Sequence, residues 1–147
     1  MNTQRPHILL IEDNPADADL VEEAFSEAHF TCELSIMRDG AEAIDFIEHI
    51  DAGLPQACPD LVLLDLNLPK VGGRAVLERV RLSPKLKKTM VLIISSSDAP
   101  NDRKQVMDLG ADAYFRKPSS LTQFMELGPK VRSMLKNGQQ SETPLGG

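Results

Sequence analysis

Five short apolar runs alternate with longer stretches of helical periodicity along this chain, and that alternation restricts the fold more than any other feature of its 147 residues. Strand-sized runs separated by helix-sized segments are typical of βα units, in which consecutive strands lie parallel. The predicted strands cover residues 7–11, 33–37, a run that ends at 65, 90–94 and 113–116. We therefore expect an α/β fold, a doubly wound (βα)5 three-layer sandwich around a five-stranded parallel sheet.

Capping and helix-breaking residues set the limits of the predicted helices. Asn14 followed by Pro15 indicates the start of the first helix, because a proline at the first helical position gives up no hydrogen bond. Gly110 fits a left-handed cap after the fourth helix. The last helix begins near residue 119 or 120, and the pair Gly128 and Pro129 inside it predicts a kink or a restart.

The length of the chain suits one domain with an ordinary core. We expect a flexible N-terminus at residues 1–6, a folded domain at 7–136 and a disordered C-terminal tail at 137–147. The tail is predicted to be disordered because it offers little apolar surface for burial. No second domain is expected.

Composition argues against several classes of protein. A net charge of −6 does not suit a nucleic-acid binder, which needs a basic face to neutralise phosphates. No apolar run approaches the roughly 20 residues that span a bilayer, and the first residues lack the apolar core of a secretion signal. Cys32 and Cys58 form no CxxC pair, which fits free thiols in a cytoplasmic protein. We expect neither nucleic acid nor membrane among its partners.

Charged side chains follow three of the predicted strands. Glu12 and Asp13 follow the first strand, Asp65 ends the third, and Lys117 follows the fifth. Because the carboxyl ends of parallel strands face one crevice, we expect a pocket with three carboxylates and one ammonium. Ser95, after the fourth strand, adds a hydroxyl at the same edge.

Three converging carboxylates need neutralisation, since like charges a few Å apart resist joint ionisation. Lys117 supplies one positive charge, and a hard divalent cation such as Mg²⁺, which prefers oxygen ligands, supplies the rest. Asp65 can then attack phosphorus, with the Ser95 hydroxyl and the Ser96 backbone N–H as donors to phosphoryl oxygens. Each residue alone is better explained as part of a helix end, a turn or a surface charge, whereas their combination favours a phosphoryl site.

The same residues resemble the CheY-like receiver domain of two-component response regulators. The spacings from Asp65 to Ser95 and from Asp65 to Lys117 are similar to those of the single-domain chemotaxis regulators. The resemblance extends over about residues 7–136 and implies a sheet of strand order 2-1-3-4-5. The residues that carry it are Glu12, Asp13, the segment Leu63-Leu64-Asp65-Leu66-Asn67-Leu68-Pro69, Gly73, Ser95, Tyr114, Lys117 and Pro118.

The resemblance implies a phosphoacceptor rather than an enzyme that turns over a substrate. Asp65 would take a phosphoryl group from a phosphohistidine on a sensor histidine kinase, with Mg²⁺-dependent self-phosphorylation and autodephosphorylation. The implied metal ligands are Asp13, Asp65 and the backbone carbonyl of Asn67, with Glu12 assisting, and Mn²⁺ or Ca²⁺ can substitute in vitro. Lys117 would pair with the phosphoryl group and precede a cis peptide bond to Pro118.

A switch is implied as well. Ser95 would move toward the phosphoryl group, whose oxygens also bind the Ser96 N–H, and Tyr114 would turn inward. This movement would repack the surface of the fourth helix, the fifth strand and the fifth helix. Asn67 and Ser97 flank the site at positions where side chains tune the lifetime of the phosphoryl group.

The long loop after the second helix, the segment 66–70 and the absence of an output domain are similar to the small response regulators paired with phytochromes. We therefore expect a stand-alone regulator whose sensor kinase is a phytochrome, with a histidine phosphotransfer protein as a further partner. A homodimer is expected through the fourth helix, the fifth strand, the fifth helix and the C-terminal region. Gly128 and Pro129 lie in that region and would alter the usual dimer geometry.

Three other functions compete with this interpretation. A haloacid-dehalogenase-like phosphohydrolase needs a second acid two residues after its nucleophile, where this chain has Asn67. A flavodoxin-like FMN module needs aromatic residues around the flavin, whereas the chain has no Trp and one Tyr. A receiver-like scaffold usually lacks one of the acids or the lysine, and all of them are present here. The sequence leaves the kinase, its stimulus and the downstream target open.

Overall fold

The computed structural model describes residues 5–142, which form a five-stranded sheet with helices on both faces. The strands are β1 (His7–Ile11), β2 (Glu33–Met37), β3 (Leu61–Asp65), β4 (Met90–Ser95) and β5 (Ala113–Arg116). The helices are α1 (Pro15–Glu27), α2 (Gly40–Asp51), α3 (Gly73–Leu82), α4 (Pro100–Asp108), α5 (Leu121–Phe124) and α6 (Leu127–Glu142). All strand pairs are parallel in the order β2-β1-β3-β4-β5, which confirms the predicted fold.

The central strands are buried on both faces because alternate side chains enter two separate cores. Leu9 and Val62 belong to the core that packs against α2, α3 and α4. Their neighbours Ile8 and Leu61 belong to the core that packs against α1, α5 and α6. Uninterrupted apolar strands are the mark of a parallel sheet covered by helices, so polar side chains emerge only where the strands end.

Short capped connections lead from the strand ends into the helices. The Asn14 side chain accepts hydrogen bonds from the N–H groups of Ala16 and Asp17, at 2.9 and 3.3 Å, and Pro15 is the first residue of α1, as predicted. Asp39 caps α2 by accepting from the N–H of Glu42 at 2.8 Å. These caps satisfy N–H groups that have no partner within the helix, and they fix the first turn of each helix beside the sheet edge.

The last helix restarts, as the pair Gly128 and Pro129 predicts. α5 ends at Phe124 and α6 begins at Leu127, so Pro129 lies in the first turn of α6, where its missing N–H costs no helical bond. Gly128 packs closely on α1, since a Cβ there would lie 2.6 Å from the carbonyl oxygen of Ala24. The restart thus places α6 against α1.

The ends of the folded region differ from expectation. α6 continues to Glu142, six residues into the tail that was predicted to be disordered, and Gly138 lies against Met90. At the other end the Pro6 carbonyl accepts the Glu33 N–H at 2.8 Å, which extends the pairing of β1 with β2. Residues 1–4 and 143–147, which the expected termini include, lie outside the described residues. Among residues 5–142 no helix is both long and apolar enough to cross a bilayer.

Candidate functional site

Four strands deliver polar side chains to one edge of the sheet. Glu12 follows β1, Asp65 ends β3 and Ser95 ends β4, and these residues are 1, 4 and 0% exposed. Lys117 follows β5, and the backbone N–H of Lys117 donates a hydrogen bond to the backbone carbonyl of Ser95 at 2.7 Å. Because β1, β3, β4 and β5 are consecutive in the sheet, residues that are distant in sequence meet there.

Three carboxylates at this edge form a group that suits a divalent metal. Glu12, Asp13 and Asp65 each contribute one oxygen, and these oxygens all lie within 4.8 Å of one another. Asp13 is exposed while the other two are buried, so the group opens to solvent on one side. Carboxylate oxygens with room for water are the environment that Mg²⁺ favours. The donor set therefore fits the predicted ion.

Glu12 is held in a strained electrostatic state. Burial, together with the neighbouring Asp65 carboxyl, raises the pKa of Glu12 from 4.5 to about 7, although Lys117 acts in the opposite direction. A carboxyl of this kind gains from any added cation, because the positive charge relieves both the desolvation and the repulsion from Asp65. A divalent cation at this place would therefore lower the pKa of Glu12.

Lys117 contacts three carboxylates. Its Nζ lies 2.8 Å from Glu12 Oε1, 2.8 Å from Asp17 Oδ2 and 3.5 Å from Asp65 Oδ2. Burial lowers the pKa of Lys117, but hydrogen bonds to Asp17 and Glu12 outweigh it, so that the pKa lies above its ordinary value. Lys117 therefore stays positively charged, and it is held beside Asp65 at a distance too long for a strong hydrogen bond.

The turn after Asp65 orients the Asp65 carboxylate. Asn67 is exposed, and its N–H donates to Asp65 Oδ1 at 3.0 Å. Gly73 opens α3 directly behind this turn, and a Cβ there would lie 2.5 Å from the Asp65 carbonyl oxygen. Only glycine allows α3 to start this close to the strand end. The role of the Asn67 carbonyl as a metal ligand stays a prediction.

The loop of residues 96–99 between β4 and α4, here called the β4–α4 loop, is tied to both sides. The Ser97 N–H donates to Ser95 Oγ at 3.1 Å, and the Ser97 hydroxyl donates to Asp102 Oδ2 at 2.7 Å. Arg74, in the first turn of α3, donates to the other oxygen of Asp102 at 3.1 Å. Ser96 is exposed, on the segment between the two anchored serines.

Tyr114 points inward in this structure. It is 6% exposed, and its hydroxyl donates to the carbonyl oxygen of Ser97 at 2.9 Å. The guanidinium of Arg103 from α4 lies 5.3 Å from the centre of the Tyr114 ring. The predicted switch residues, Ser95 and Tyr114, are therefore connected through one residue of the β4–α4 loop.

Two features of the site were not predicted from the sequence. The first is Asp17, which forms an ion pair with Lys117 as Glu12 does. The sequence offered one indication of this contact, an acidic residue in the first turn of a capped helix. Side chains in a helix lean toward its N-terminus, and here that direction leads to the strand end. The ion pair between Arg74 and Asp102 joins α3 to α4 and carries no local sequence pattern.

The predicted cis peptide bond between Lys117 and Pro118 is wrong. Residues 5–142 contain no cis peptide bond. The trans form of a bond before proline is favoured by about 0.5–1 kcal/mol, and with this form Lys117 already reaches the carboxylates of the site.

Comparisons with known proteins agree with this geometry. The family model of the response regulator receiver domain matches residues 8–127. The response regulator Rcp1 of Synechocystis sp. is 34% identical over 126 residues, which are 86% of this chain and 86% of Rcp1.

Two solved structures share both the fold and part of the sequence. The phosphorylated cyanobacterial phytochrome response regulator RcpA is 34% identical, with a TM-score of 0.80 over 89% of this chain and 94% of RcpA. The Mn²⁺-bound form of Rcp1 is also 34% identical, with a TM-score of 0.76 over 87% of this chain and 92% of that chain. Receiver domains bind Mg²⁺ or Mn²⁺ in an acidic pocket, and the acidic group of this chain confirms the prediction of such a site.

Three findings agree on the family of this chain. They are the match to the receiver domain over most of the chain, the strand order 2-1-3-4-5, and the acidic pocket beside a lysine. The receiver domain is a signalling module and implies a histidine kinase as phosphodonor. This chain belongs to the receiver domain family of two-component response regulators, and it is similar to the phytochrome-associated members of that family.

Proposed function

We propose that Asp65 is the phosphoacceptor of this receiver domain and that the charge state of Asp65 carries the signal. The observation that supports the proposal is the position of the Asp65 carboxylate, which has Glu12 and Asp13 within metal-sharing distance and Lys117 at 3.5 Å. Asp65 is also the acid at the end of the central strand β3.

In the proposed reaction an Asp65 oxygen attacks the phosphorus of a phosphohistidine. A new P–O bond forms while the P–N bond breaks, and the electron pair of the broken bond remains on the imidazole nitrogen of the kinase. Lys117, the Ser95 hydroxyl and the Ser96 N–H then donate to phosphoryl oxygens. Self-phosphorylation follows the same course with a small phosphodonor, and autodephosphorylation occurs when water attacks phosphorus and releases the Asp65 carboxylate.

The metal ion would be held by Asp13, Asp65 and the Asn67 carbonyl, with Glu12 assisting. When bound, it neutralises negative charge on the transferring phosphoryl group. The side chains of Asn67 and Ser97 would tune how fast water reaches the acyl phosphate. Asn67 is exposed beside the acceptor, whereas Ser97 is fixed by Asp102.

The output would be a change of the surface formed by α4, β5 and the predicted fifth helix, which corresponds to α5 and α6. Movement of the Ser95 hydroxyl toward the phosphoryl group would break the hydrogen bond that Ser95 Oγ accepts from the Ser97 N–H. The carbonyl oxygen of Ser97 accepts the hydrogen bond from the Tyr114 hydroxyl. Phosphorylation would therefore act on Tyr114 through the β4–α4 loop.

The partners follow from the relatives. A phytochrome kinase as phosphodonor is supported by the likeness to RcpA, and a histidine phosphotransfer protein would extend the relay. Homodimerisation through α4, β5, α5 and the C-terminal region, which includes α6, is supported by two exposed apolar side chains, Met107 on α4 and Leu121 on α5. The free thiols of Cys32 and Cys58 fit a cytoplasmic location.

Intact-mass analysis after incubation with acetyl phosphate and Mg²⁺ tests the phosphoacceptor. The wild type should gain the mass of one phosphoryl group, while Asp65→Asn and the wild type in EDTA should gain none. Asp45→Asn is the matched control, because Asp45 is exposed on α2, away from the acidic group. Phosphorylation of Asp65→Asn to the wild-type extent would refute the assignment.

Phosphotransfer profiling tests the kinase. A phytochrome histidine kinase labelled on its histidine should lose label to this protein much faster than a labelled histidine kinase of another sensor class. Equal rates for the two donors would contradict the phytochrome pairing while leaving the phosphoacceptor role intact.

A further inference from the structure

Asp17 is the least expected contact of the site. It lies in the first turn of α1, and its Oδ2 is 2.8 Å from Lys117 Nζ, the same distance that separates Nζ from Glu12 Oε1. The Asn14 cap and Pro15 fix this turn against the end of β1. The Asp17 side chain is 26% exposed and that of Lys117 is 12%, so the pair is shielded from most of the solvent.

The contact with Asp17 limits which hydrogen bonds the Lys117 ammonium can still form. An ammonium group has three N–H donors, and two of them are directed at Glu12 and Asp17. The third faces Asp65 Oδ2 at 3.5 Å, which is too long for a strong charge-assisted bond. The ammonium is therefore aimed at Asp65 and retains one weakly used donor for an additional oxygen at that side.

Glu12 and Asp17 both contact Lys117, but only Glu12 also belongs to the group of acids that could share a metal. The Glu12 carboxylate belongs to the group of acids that share a metal, together with Asp13 and Asp65, whereas Asp17 is outside that group. A cation held by that group would attract the Glu12 carboxylate and weaken its hydrogen bond with Lys117. Asp17 is then the one carboxylate, among the residues described here, that contacts Lys117 without also belonging to the metal group.

We propose that Asp17 is a positioning residue for phosphoryl transfer, which keeps the Lys117 ammonium beside Asp65 when the metal ion draws Glu12 away. Asp17 acts through Lys117 and touches neither the phosphoryl group nor the metal. The inference rests on the proposed function of Asp65, because it assigns to Lys117 the task of meeting the transferred group.

The test compares Asp17→Asn with wild type in the rate of phosphorylation by acetyl phosphate at saturating Mg²⁺, followed by intact mass. We expect a decrease of about three- to fivefold, the size typical of a partly exposed ion pair. The Mg²⁺ concentration at half-maximal rate should stay unchanged, because Asp17 is not among the metal-sharing acids. Asp17→Glu should recover part of the rate, and Asp19→Asn, on an exposed position of the same helix, should match wild type.

A double-mutant cycle separates positioning from a general effect. In the background of Lys117→Gln, Asp17→Asn should cause no further decrease, because the residue through which Asp17 acts is gone. An unchanged or higher rate for Asp17→Asn would overturn the inference, and so would an equal decrease in both backgrounds. If the wild type itself gains no phosphoryl mass, the proposed function of Asp65 fails instead, so the two failures are distinguishable.

Discussion

Replacing Glu12 by Gln should remove a pH-dependent loss of stability that is specific to this site. In the folded protein burial and the neighbouring Asp65 carboxyl raise the pKa of Glu12 from 4.5 to about 7. A carboxyl with a raised pKa binds its proton more tightly when the protein is folded. Its contribution to stability is therefore present at low pH and is lost as the pH rises from 4.5 through 7.

The size of the loss follows from the two pKa values. Between pH 5 and pH 8 the free energy of unfolding of the metal-free protein should fall by about 2–3 kcal/mol because of Glu12 alone. Asp39 and Asp51 do not interfere, because their pKa values are lowered from 3.8 and their effect is confined to more acidic solutions. The midpoint of urea unfolding should consequently move down by about 1–2 M relative to Glu12→Gln.

Urea unfolding in EDTA at pH 5 and pH 8 measures this difference, with Glu23→Gln, at an exposed position of α1, as the control for the substitution itself. Saturating Mg²⁺ at pH 8 should restore most of the lost stability in the wild type, because the cation neutralises ionised Glu12. If the difference in unfolding free energy between wild type and Glu12→Gln is the same at both pH values, the electrostatic account of Glu12 is wrong.

Two further predictions concern the loop and the last helix. Asp102→Asn should loosen the β4–α4 loop and thereby change the fluorescence of Tyr114, which is the single tyrosine in a chain without Trp. The control is Asp108→Asn, which breaks only an exposed ion pair in α4 and should leave the emission unchanged. An unaltered spectrum for Asp102→Asn would show that the Asp102 carboxylate, which accepts the Ser97 hydroxyl, does not hold the loop. Gly128→Ala should lower the free energy of unfolding by about 1–3 kcal/mol, because the added Cβ meets the α1 backbone. Gly72→Ala has open space around the added Cβ and should cost about 0.5 kcal/mol in urea unfolding, because Gly72 is the N-cap of α3, where glycine is preferred to alanine. Equal stability losses for the two glycine variants would contradict the close packing of α6 on α1.

The strands were predictable to within a residue because each is a short apolar run that ends at a polar or turn residue, as β3 does at Asp65. The strand order was accessible only through the resemblance to a known family, since local patterns do not specify which strands pair. The same applies to the acids and the lysine, whose spacing identified the site before any geometry was known.

What the sequence did not reveal depends on contacts between distant elements. Asp17 meets Lys117 100 residues later, and Arg74 meets Asp102 from another helix, so neither pair has a local signature. The tail was predicted to be disordered because its composition is polar, yet α6 continues to Glu142, with Gly138 against Met90. The approach of Gly138 to Met90 has no signature in the local composition.

The burial of the central strands on both faces has a consequence for how such a protein can diverge. A substitution at Leu63 disturbs the packing of one helical layer, and a substitution at Leu64 disturbs the other. The interior positions of the sheet therefore tolerate few substitutions. Variation that alters partners or signal lifetime is confined to the rim of the sheet and the outer helix surfaces, where loops tolerate exchange. Duplicated copies of this scaffold can therefore acquire separate signalling pathways while their cores remain interchangeable.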